Sequence, residues 1–220
     1  MKIVSFIPIK LNNERLPGKN TKSLNGRPLC DYIFETISDI SEIDEKYVYC
    51  SDESIKSYVK KYENRGLTFL KRDEYLDGNM VKGLEIIKSF VEDVYADIYI
   101  LAHVTQPFIK EETIKRALNE VVSGKYDSSF SAISMQDYMW KDGKPLNYNV
   151  KDIVRTQELD PIYKETGAFF IFKREVVTVL GQRIGNYPYI CETDQFEAID
   201  IDYAEDFEFA QAVAPYVLDR

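Results

Sequence analysis

Two hydrophobic patterns alternate along the first two-thirds of the chain. Short runs rich in β-branched and aromatic residues predict strands, and longer runs with an apolar residue every three or four positions predict helices. The predicted strands cover residues 2–9, 46–50, 67–71, 97–103 and 128–134. The predicted helices between them cover residues 29–40, 53–63, 80–94 and 112–122. This alternation predicts a parallel sheet with helices on both faces.

The pattern breaks after the fifth predicted strand. Residues 135–164 combine aromatic side chains, two prolines and several charges without a clear period. We interpret them as a small flap or dimerisation arm, because exposed aromatic residues usually mark an interface. The sheet pattern resumes at residues 167–175, continues in a short strand predicted to end at residues 197–202, and is followed by a predicted helix over residues 204–217. The predicted fold is one α/β domain over the whole chain, a Rossmann-like three-layer sandwich with a mostly parallel central sheet.

Composition limits the classes of partner. The chain has 220 residues, 37 acidic and 28 basic, and a formal net charge of -9. Binding to nucleic acid polymers or to an anionic membrane needs a broad basic face, so neither is expected as the main partner. The amino terminus lacks the apolar run of a signal peptide, and no stretch is long enough to span a membrane. We therefore expect a cytoplasmic protein with reduced thiols at Cys30, Cys50 and Cys191.

The loop after the first predicted strand has the opposite charge to the chain as a whole. Residues 7–20 read IPIKLNNERLPGKN, and between positions 10 and 30 five bases accompany a single acid, Glu14. The bases are Lys10, Arg15, Lys19, Lys22 and Arg27. Cations at the carboxyl end of a strand in an α/β sheet suggest a crevice for a polyphosphate. A solvated loop with scattered charges is the alternative.

Asp200 and Asp202 are separated by one residue at the end of the last predicted strand. The period of a strand would direct both carboxylates to one face, where they could hold Mg²⁺ together with substrate phosphates. As an alternative, the spacing of Asp202 and Glu205 matches a capping box, in which Asp202 is only the N-cap of the last helix. Combined with the cationic loop, the pair favours metal-assisted chemistry at a phosphate.

Two further polar residues end predicted strands. Arg72 follows the third strand and either recognises a base or phosphate with its planar fork or is a solvated charge. His103, the only histidine, closes the fourth strand without a visible partner for a nucleophilic dyad. His103 either belongs to the functional site or is a polar residue at a strand end whose hydrogen bonds are made within the protein. The chain lacks the G-x-S-x-G, G-x-x-x-x-G-K-S/T and G-x-G-x-x-G motifs, which removes the main support for serine hydrolases, P-loop enzymes and classical dinucleotide binders.

These motifs together resemble those of a known enzyme family. IPIKLNNERLPGKN is similar to the nucleotide-binding loop of the acylneuraminate (CMP-sialic acid) cytidylyltransferases and the related CMP-Kdo synthetases. EAIDIDYAEDFEFA resembles the metal motif near the carboxyl end of these enzymes, and LKRDEYLDG, AHVTQPF and ETGAFFIF extend the resemblance over most of the chain outside the excursion. The resemblance implies a homodimeric, Mg²⁺-dependent nucleotidyltransferase that joins CTP to a 2-keto-3-deoxy acidic sugar, such as a sialic-acid-like nonulosonic acid, and releases pyrophosphate.

The resemblance also implies roles for individual residues. Lys19, Asp200 and Asp202 would be catalytic, and the two aspartates would hold the metal. The nucleotide would be bound by Lys10, Asn12, Arg15, Lys19, Asn20, Arg72 and Asn79. The acceptor sugar would be contacted by His103, Gln106, Arg155 and Gln157. Lys10 replaces the usual arginine of the family and His103 replaces the glutamine common in the sialate enzymes, so the identity of the sugar stays open.

Three alternative functions stay open on the sequence. A CMP-Kdo synthetase would differ only in the acidic sugar. A nucleotide-sugar glycosyltransferase also pairs a Rossmann-like sheet with a D-x-D metal site, although that motif normally falls near the middle of the fold. A catalytically silent nucleotide-binding subunit would bind CTP and form no product.

Overall fold

A central β-sheet organises the protein in a computed structural model that describes residues 1–218. The strands in chain order are β1 (Ile3–Pro8), β2 (Ser23–Leu24), β3 (Arg27–Pro28), β4 (Glu45–Cys50), β5 (Leu67–Lys71), β6 (Ile98–Ala102), β7 (Ser128–Met135), β8 (Trp140–Lys141), β9 (Lys144–Pro145), β10 (Ile162–Lys173) and β11 (Pro188–Glu192). The α-helices are α1 (Leu29–Asp39), α2 (Lys56–Val59), α3 (Gly83–Asp93), α4 (Glu111–Val122), α5 (Arg174–Thr178) and α6 (Ala204–Leu218). Short 3-10 helices cover Lys19–Thr21, Glu53–Ile55, Lys60–Arg65, Glu74–Asp77 and Thr156–Glu158.

Within the described residues, the central sheet has seven strands in the order β11-β7-β10-β6-β1-β4-β5. β1 pairs in parallel with β4 and β6, β4 with β5, and β7 with β11. β10 alone runs antiparallel, between β6 and β7. The prediction of an α/β fold with a mostly parallel sheet is therefore confirmed.

Two apolar cores cover opposite faces of this sheet. Ile3 and Ile7 of β1 point into the core that also holds buried residues of α1 and α4. Phe6 points to the other face and stacks on Phe90 of α3, with ring centroids 4.1 Å apart. Successive side chains of β1 point to opposite faces of the sheet, and both faces are buried. The sequence of β1 is therefore a nearly continuous apolar run.

The predicted strand ending at residues 197–202 is wrong, because the last strand within residues 1–218 is β11, residues 195–198 form a turn and residues 199–202 are irregular. Local hydrogen bonds account for the difference. The Asp194 carboxylate accepts hydrogen bonds from the backbone N–H groups of Phe196 and Glu197. The Glu197 carboxylate in turn accepts one from the Asp194 N–H. Side chains that satisfy nearby backbone donors in this way favour turns over an extended ladder.

Smaller differences concern the ends of elements. The predicted helix over residues 53–63 is interrupted, with α2 lying between two 3-10 segments. Residues 174 and 175, predicted as strand, begin α5 instead. α3 begins at Gly83, three residues later than predicted. These differences leave the order and type of the main elements unchanged.

The irregular excursion leaves the sheet between β7 and β10. Residues 162–164, predicted to belong to it, extend the β10 ladder against β7 up to the pair Ile162 and Met135. The remaining residues, 136–161, contain the β8–β9 hairpin and a 3-10 turn. Within residues 1–218, no helix is long and apolar enough to cross a membrane.

Asp127 ties the turn before β11 to the start of β7. Its carboxylate accepts hydrogen bonds from the backbone N–H groups of Asn186 at 2.7 Å and Tyr187 at 3.0 Å. The Ser128 hydroxyl accepts another from the Gly185 N–H at 2.8 Å. A Cβ atom at Gly185 would lie 2.3 Å from Asp127 Oδ1, so any larger residue at this position would have to displace the Asp127 carboxylate.

We predict that Gly185→Ala lowers the free energy of unfolding by about 1–3 kcal/mol, because the added methyl group displaces a carboxylate held by several hydrogen bonds. Gly83→Ala is the matched control, since a Cβ there, at the start of α3, has open space within 4 Å. That variant should be neutral or more stable by up to about 1 kcal/mol. Urea denaturation of both variants measures the difference, and equal stabilities would contradict the prediction.

Candidate active site

A cleft of about 320 Å³ opens where the carboxyl ends of the parallel strands meet. Its lining includes Lys10, Glu14, Arg15, Lys19, Asn79 and Asp202. The cleft lies beside β1, whose neighbours β4 and β6 lead to opposite ends of the sheet. Ligands of α/β proteins commonly bind at such a reversal of strand order.

Lys19 and Asp202 join the cationic loop to the acidic segment. The Lys19 side chain is largely buried, and its Nζ donates hydrogen bonds to Ile201 O at 2.7 Å and to Asp202 Oδ1 at 3.0 Å. Arg15 Nη1 donates to the other oxygen of Asp202 at 2.8 Å. Gly18, with φ of 66°, gives the left-handed turn that brings Lys19 into this position. An ammonium group has three donors, so one remains for a ligand in the cleft.

Asp202 does not act as the N-cap of α6. The Asp206 carboxylate accepts hydrogen bonds from the N–H groups of Asp202 at 3.0 Å and Tyr203 at 2.8 Å. The side chain of Asp202 faces the loop cations instead. The alternative reading of Asp202 and Glu205 as a capping box is therefore wrong, because α6 begins two residues later, at Ala204, and the Asp202 carboxylate is bound by Arg15 and Lys19.

Asp200 lies near Asp202 but in a different environment. Burial raises the pKa of the Asp200 carboxyl, and the charge of Asp202 raises it further. The Thr105 hydroxyl and the Lys19 charge oppose this shift. Two carboxylates that repel each other in this way would gain from a cation placed between them.

The two aspartates fit a magnesium ion only together with a ligand. Within residues 1–218, no group of three or more His, Cys, Asp or Glu side chains could hold a metal. Mg²⁺ commonly takes one or two carboxylates and completes its shell with water and substrate phosphates. Asp200 and Asp202 match that donor set.

Arg72 follows β5 at the carboxyl edge of the sheet, beside the cleft and not among the residues that line it. Its side chain is buried, pairs with Asp77, and has its guanidinium 6.0 Å from the centre of the Tyr49 ring. Its buried Nε has no hydrogen-bond partner among the described residues. Ser51 donates to the same Asp77 carboxylate, and Lys10 Nζ donates to the Asp77 carbonyl at 3.3 Å. An unpaired donor on a buried charged group is a common feature of ligand sites.

The structure brings most of the predicted nucleotide residues together. The Asn20 amide donates to Lys10 O at 2.7 Å and fixes the shape of the loop, while Asn79 donates to Glu14 across the cleft. Asn12 lines a neighbouring cleft of about 580 Å³ together with Ser51 and Asp77, and Arg72, which pairs with Asp77, lines neither cleft.

The predicted acceptor residues divide into two groups. His103 Nδ1 lies 2.6 Å from Gly167 O, and Gln106 Nε2 donates to Thr166 O at 2.9 Å. Both carbonyls belong to the stretch of β10 where its register against β7 shifts. Arg155 and Gln157 are instead exposed on the excursion, where Arg155 pairs with Glu158 of its own turn. None of these four residues is among those that line the 320 Å³ cleft, and only the first group, which follows β6, lies at the carboxyl edge of the sheet.

The environment of His103 determines its protonation. Burial lowers the pKa of this histidine, the Arg183 charge lowers it further, and the hydrogen bond to the Gly167 carbonyl opposes the shift. The neutral imidazole must donate from Nδ1, because a carbonyl can only accept. Nε2 is then a hydrogen-bond acceptor available on the other side of the ring.

Sequence reasoning did not identify Asp77, Ser51 or Arg183. Asp77 falls within LKRDEYLDG, but nothing in its spacing indicates a pairing with Arg72. Arg183 lies far along the chain in a short turn, with no motif around it. Contacts of this kind depend on the tertiary arrangement and carry no local signal.

Comparison with known proteins identifies the class. The family model described as Cytidylyltransferase matches residues 4–214. The chain belongs to the cytidylyltransferase family.

Several curated relatives carry names that refer to acidic sugars. The N-acylneuraminate cytidylyltransferase of Streptococcus agalactiae serotype V is 26% identical over 94% of this chain and 52% of its own length. The CMP-N,N'-diacetyllegionaminic acid synthase of Legionella pneumophila is 29% identical over 78% of each chain. The pseudaminic acid cytidylyltransferase of Campylobacter jejuni is 25% identical over 96% of this chain and 95% of its own. The chain thus spans about half the length of the first of these relatives.

The fold is shared with solved structures. A CMP:2-keto-3-deoxy-manno-octonic acid synthetase complexed with CTP superposes with a TM-score of 0.70 and 15% identity, covering 98% of this chain and 99% of that chain. At this identity the likeness concerns the fold alone, and it confirms the predicted three-layer α/β architecture.

The single histidine allows a direct test of its protonation. Because the native pKa of His103 is lowered, the unfolded state binds a proton that the native state does not, and the free energy of unfolding falls as the pH drops below about 6.5. His103→Gln removes this contribution, so its stability should depend less on pH. Urea denaturation at several values between about pH 7 and 5 measures both slopes. Equal slopes would show that His103 is not held neutral.

Proposed function

We propose that this chain joins CTP to a 2-keto-3-deoxy acidic sugar, a nonulosonic acid, and releases pyrophosphate with the CMP-sugar. The observation that carries the proposal is the contact of Lys19 with Asp202, which places a largely buried loop cation and a carboxylate of the acidic pair in one cleft. Phosphate transfer needs an anion cradle and a metal-binding carboxylate side by side. The names of the relatives that act on legionaminic and pseudaminic acids support this class of acceptor.

In this mechanism the anomeric hydroxyl of the sugar attacks the α-phosphorus of CTP in line with the departing pyrophosphate. Lys10, Arg15 and Lys19 line the cleft and would neutralise the negative charge of the phosphates. Asp200 and Asp202 would hold Mg²⁺, which supplies further charge neutralisation at the phosphate oxygens when bound. Arg15 and Lys19 also fix the orientation of the Asp202 carboxylate, since each donates to a different oxygen.

The residues on either side of the cleft suggest how the substrates are arranged. On the β5 side, the planar guanidinium of Arg72 suits a base or a phosphate and would serve the nucleotide. On the β6 side, neutral His103 and Gln106 are fixed by the carbonyls of β10 and would face the acceptor. The attacking hydroxyl would then approach from the β6 side of the sheet.

We infer further that residues 1–220 act as one catalytic unit and that it works as a homodimer through the excursion, residues 136–161. The excursion exposes apolar side chains, namely Tyr138, Trp140, Leu146, Val150, Ile153 and Val154. Burial of these side chains against a second copy would remove them from water. Arg155 and Gln157 lie on the same segment, so they would serve the cleft of the partner rather than their own.

Pyrophosphate release tests the reaction. The assay combines the protein, Mg²⁺ and CTP with a panel of nine-carbon and eight-carbon keto-sugar acids, with ATP, GTP and UTP as controls. Release that requires both CTP and one acid supports the proposal. CTP binding without release for any acid would favour a catalytically silent subunit, and release with an eight-carbon acid alone would favour a CMP-Kdo synthetase.

We predict that Asp202→Asn lowers kcat by about a hundredfold or more, the usual effect of removing one electrostatic contact to a transition state, while the fold is kept. Asp39→Asn is the matched control, because Asp39 has the same side-chain exposure of 41% and also pairs with an arginine, Arg65. Asp39 lies at the end of α1, at the opposite edge of the sheet. Similar kcat values for the two variants would contradict the role of Asp202.

The proposed dimer predicts a specific effect of charge on the excursion. Ile153→Asp should convert a dimer into a monomer, because an unpaired carboxylate in an apolar interface is costly to desolvate. Val179→Asp is the control, since Val179 is also highly exposed but lies outside the excursion. Sedimentation velocity measures the mass of each variant. A monomeric wild type, or an unchanged dimer in Ile153→Asp, would contradict the interface.

A further inference from the structure

Arg183 occupies an unusual position next to the proposed acceptor side. It lies in the turn between α5 and β11, which Asp127 holds against the start of β7. Its guanidinium carbon is 4.1 Å from the centre of the Phe170 ring, and its Nη2 donates to Glu165. The side chain remains 43% exposed despite both contacts.

The same contacts place Arg183 close to His103. The rings of His103 and Phe170 meet edge to face at a centroid distance of 6.1 Å, so the histidine and the arginine share one aromatic neighbour. Glu165 and the carbonyls that hold His103 and Gln106 also belong to one short stretch of β10. The Arg183 charge is near enough to contribute to the lowered pKa of His103.

We propose that Arg183 determines specificity by binding the carboxylate of the acceptor acid on the His103 side of the cleft. This inference rests on the proposed function, since it assumes that the acceptor is a sugar acid. A guanidinium presents a planar fork that matches a carboxylate, and stacking on an aromatic ring holds that plane in one orientation while leaving its edge free.

Glu165 gives the site its selectivity in this arrangement. In the absence of an acceptor it neutralises Arg183, and an ion pair this exposed contributes little to stability. A carboxylate from the substrate can therefore replace Glu165 at small cost. A neutral sugar cannot make this exchange, so it gains nothing from Arg183.

The test compares the KM for the active acid with the KM for CTP in the pyrophosphate assay. Arg183→Ala should raise the KM for the acid about tenfold or more, as expected for the loss of hydrogen bonds to a charged group, and leave the KM for CTP unchanged. Arg183→Lys should recover only part of this loss, because it keeps the charge without the fork. Glu165→Gln should lower the KM for the acid by up to about fivefold, because it removes a competing carboxylate.

Two controls separate a substrate contact from a structural role. Arg65→Ala should leave both KM values unchanged, since Arg65 is also stacked, 5.1 Å from the centre of the Tyr62 ring, and paired with Asp39, but lies at the far edge of the sheet. With the methyl ester of the same sugar acid, the wild type and Arg183→Ala should have the same KM.

The outcomes distinguish this inference from the function on which it rests. If the wild type releases pyrophosphate and Arg183→Ala has the wild-type KM for the acid, the role of Arg183 is overturned and the proposed function is not. The role of Arg183 is also overturned if Glu165→Gln raises the KM for the acid as much as Arg183→Ala does, because the ion pair would then be structural. A wild type that releases no pyrophosphate with any acid overturns the proposed function and this inference together.

Discussion

The burial of the Lys19 ammonium group is the constraint on which the site depends. A charge removed from water is tolerated only where oxygen acceptors surround it, and Lys19 finds them in Ile201 O and Asp202 Oδ1. These acceptors come from the segment before α6, about 180 positions further along the chain. The contact therefore fixes the loop after β1 and the acidic segment in one relative position. Arg15 strengthens it from the exposed side by binding the second oxygen of Asp202.

The residues on the two sides of the cleft are stabilised by different means. On the β5 side, charged groups hold one another, because Asp77 accepts from Arg72 and Ser51 while its carbonyl accepts from Lys10. On the β6 side, backbone carbonyls of an irregular strand fix neutral side chains, His103 and Gln106. The charged groups of the β5 side suit a polyanion, and the fixed hydrogen-bonding side chains of the β6 side suit a polar sugar with many hydroxyl groups. The two sides thus follow the chemistry of the two proposed substrates.

Sequence patterns predicted the sheet, its helices and the cationic loop, because each depends on local periodicity and charge. They failed at residues 197–202, where Asp194 and Glu197 satisfy backbone donors and turn the chain. The cationic loop and the two aspartates were combined into one site by the needs of phosphate chemistry, but the direct pairing of Asp202 with Lys19 and Arg15 was not predicted, since no local spacing connects residues so far apart. Asp77 and Arg183 were missed for the same reason. Their surroundings exist only after the sheet is assembled, and isolated charges in polar turns are common in any sequence.

The antiparallel direction of β10 has a consequence for how such an enzyme can change. The carboxyl ends of the parallel strands lie at one edge of the sheet, and at that edge β10 contributes its amino-terminal half instead of its carboxyl end. This half follows directly from the excursion and is separate in sequence from the loop after β1. Substitutions around residues 162–167 can therefore alter one side of the cleft without touching the cation cradle on the other. A chain built in this way can acquire a new acceptor while its handling of the nucleotide is inherited intact, which is a structural basis for divergence within one family.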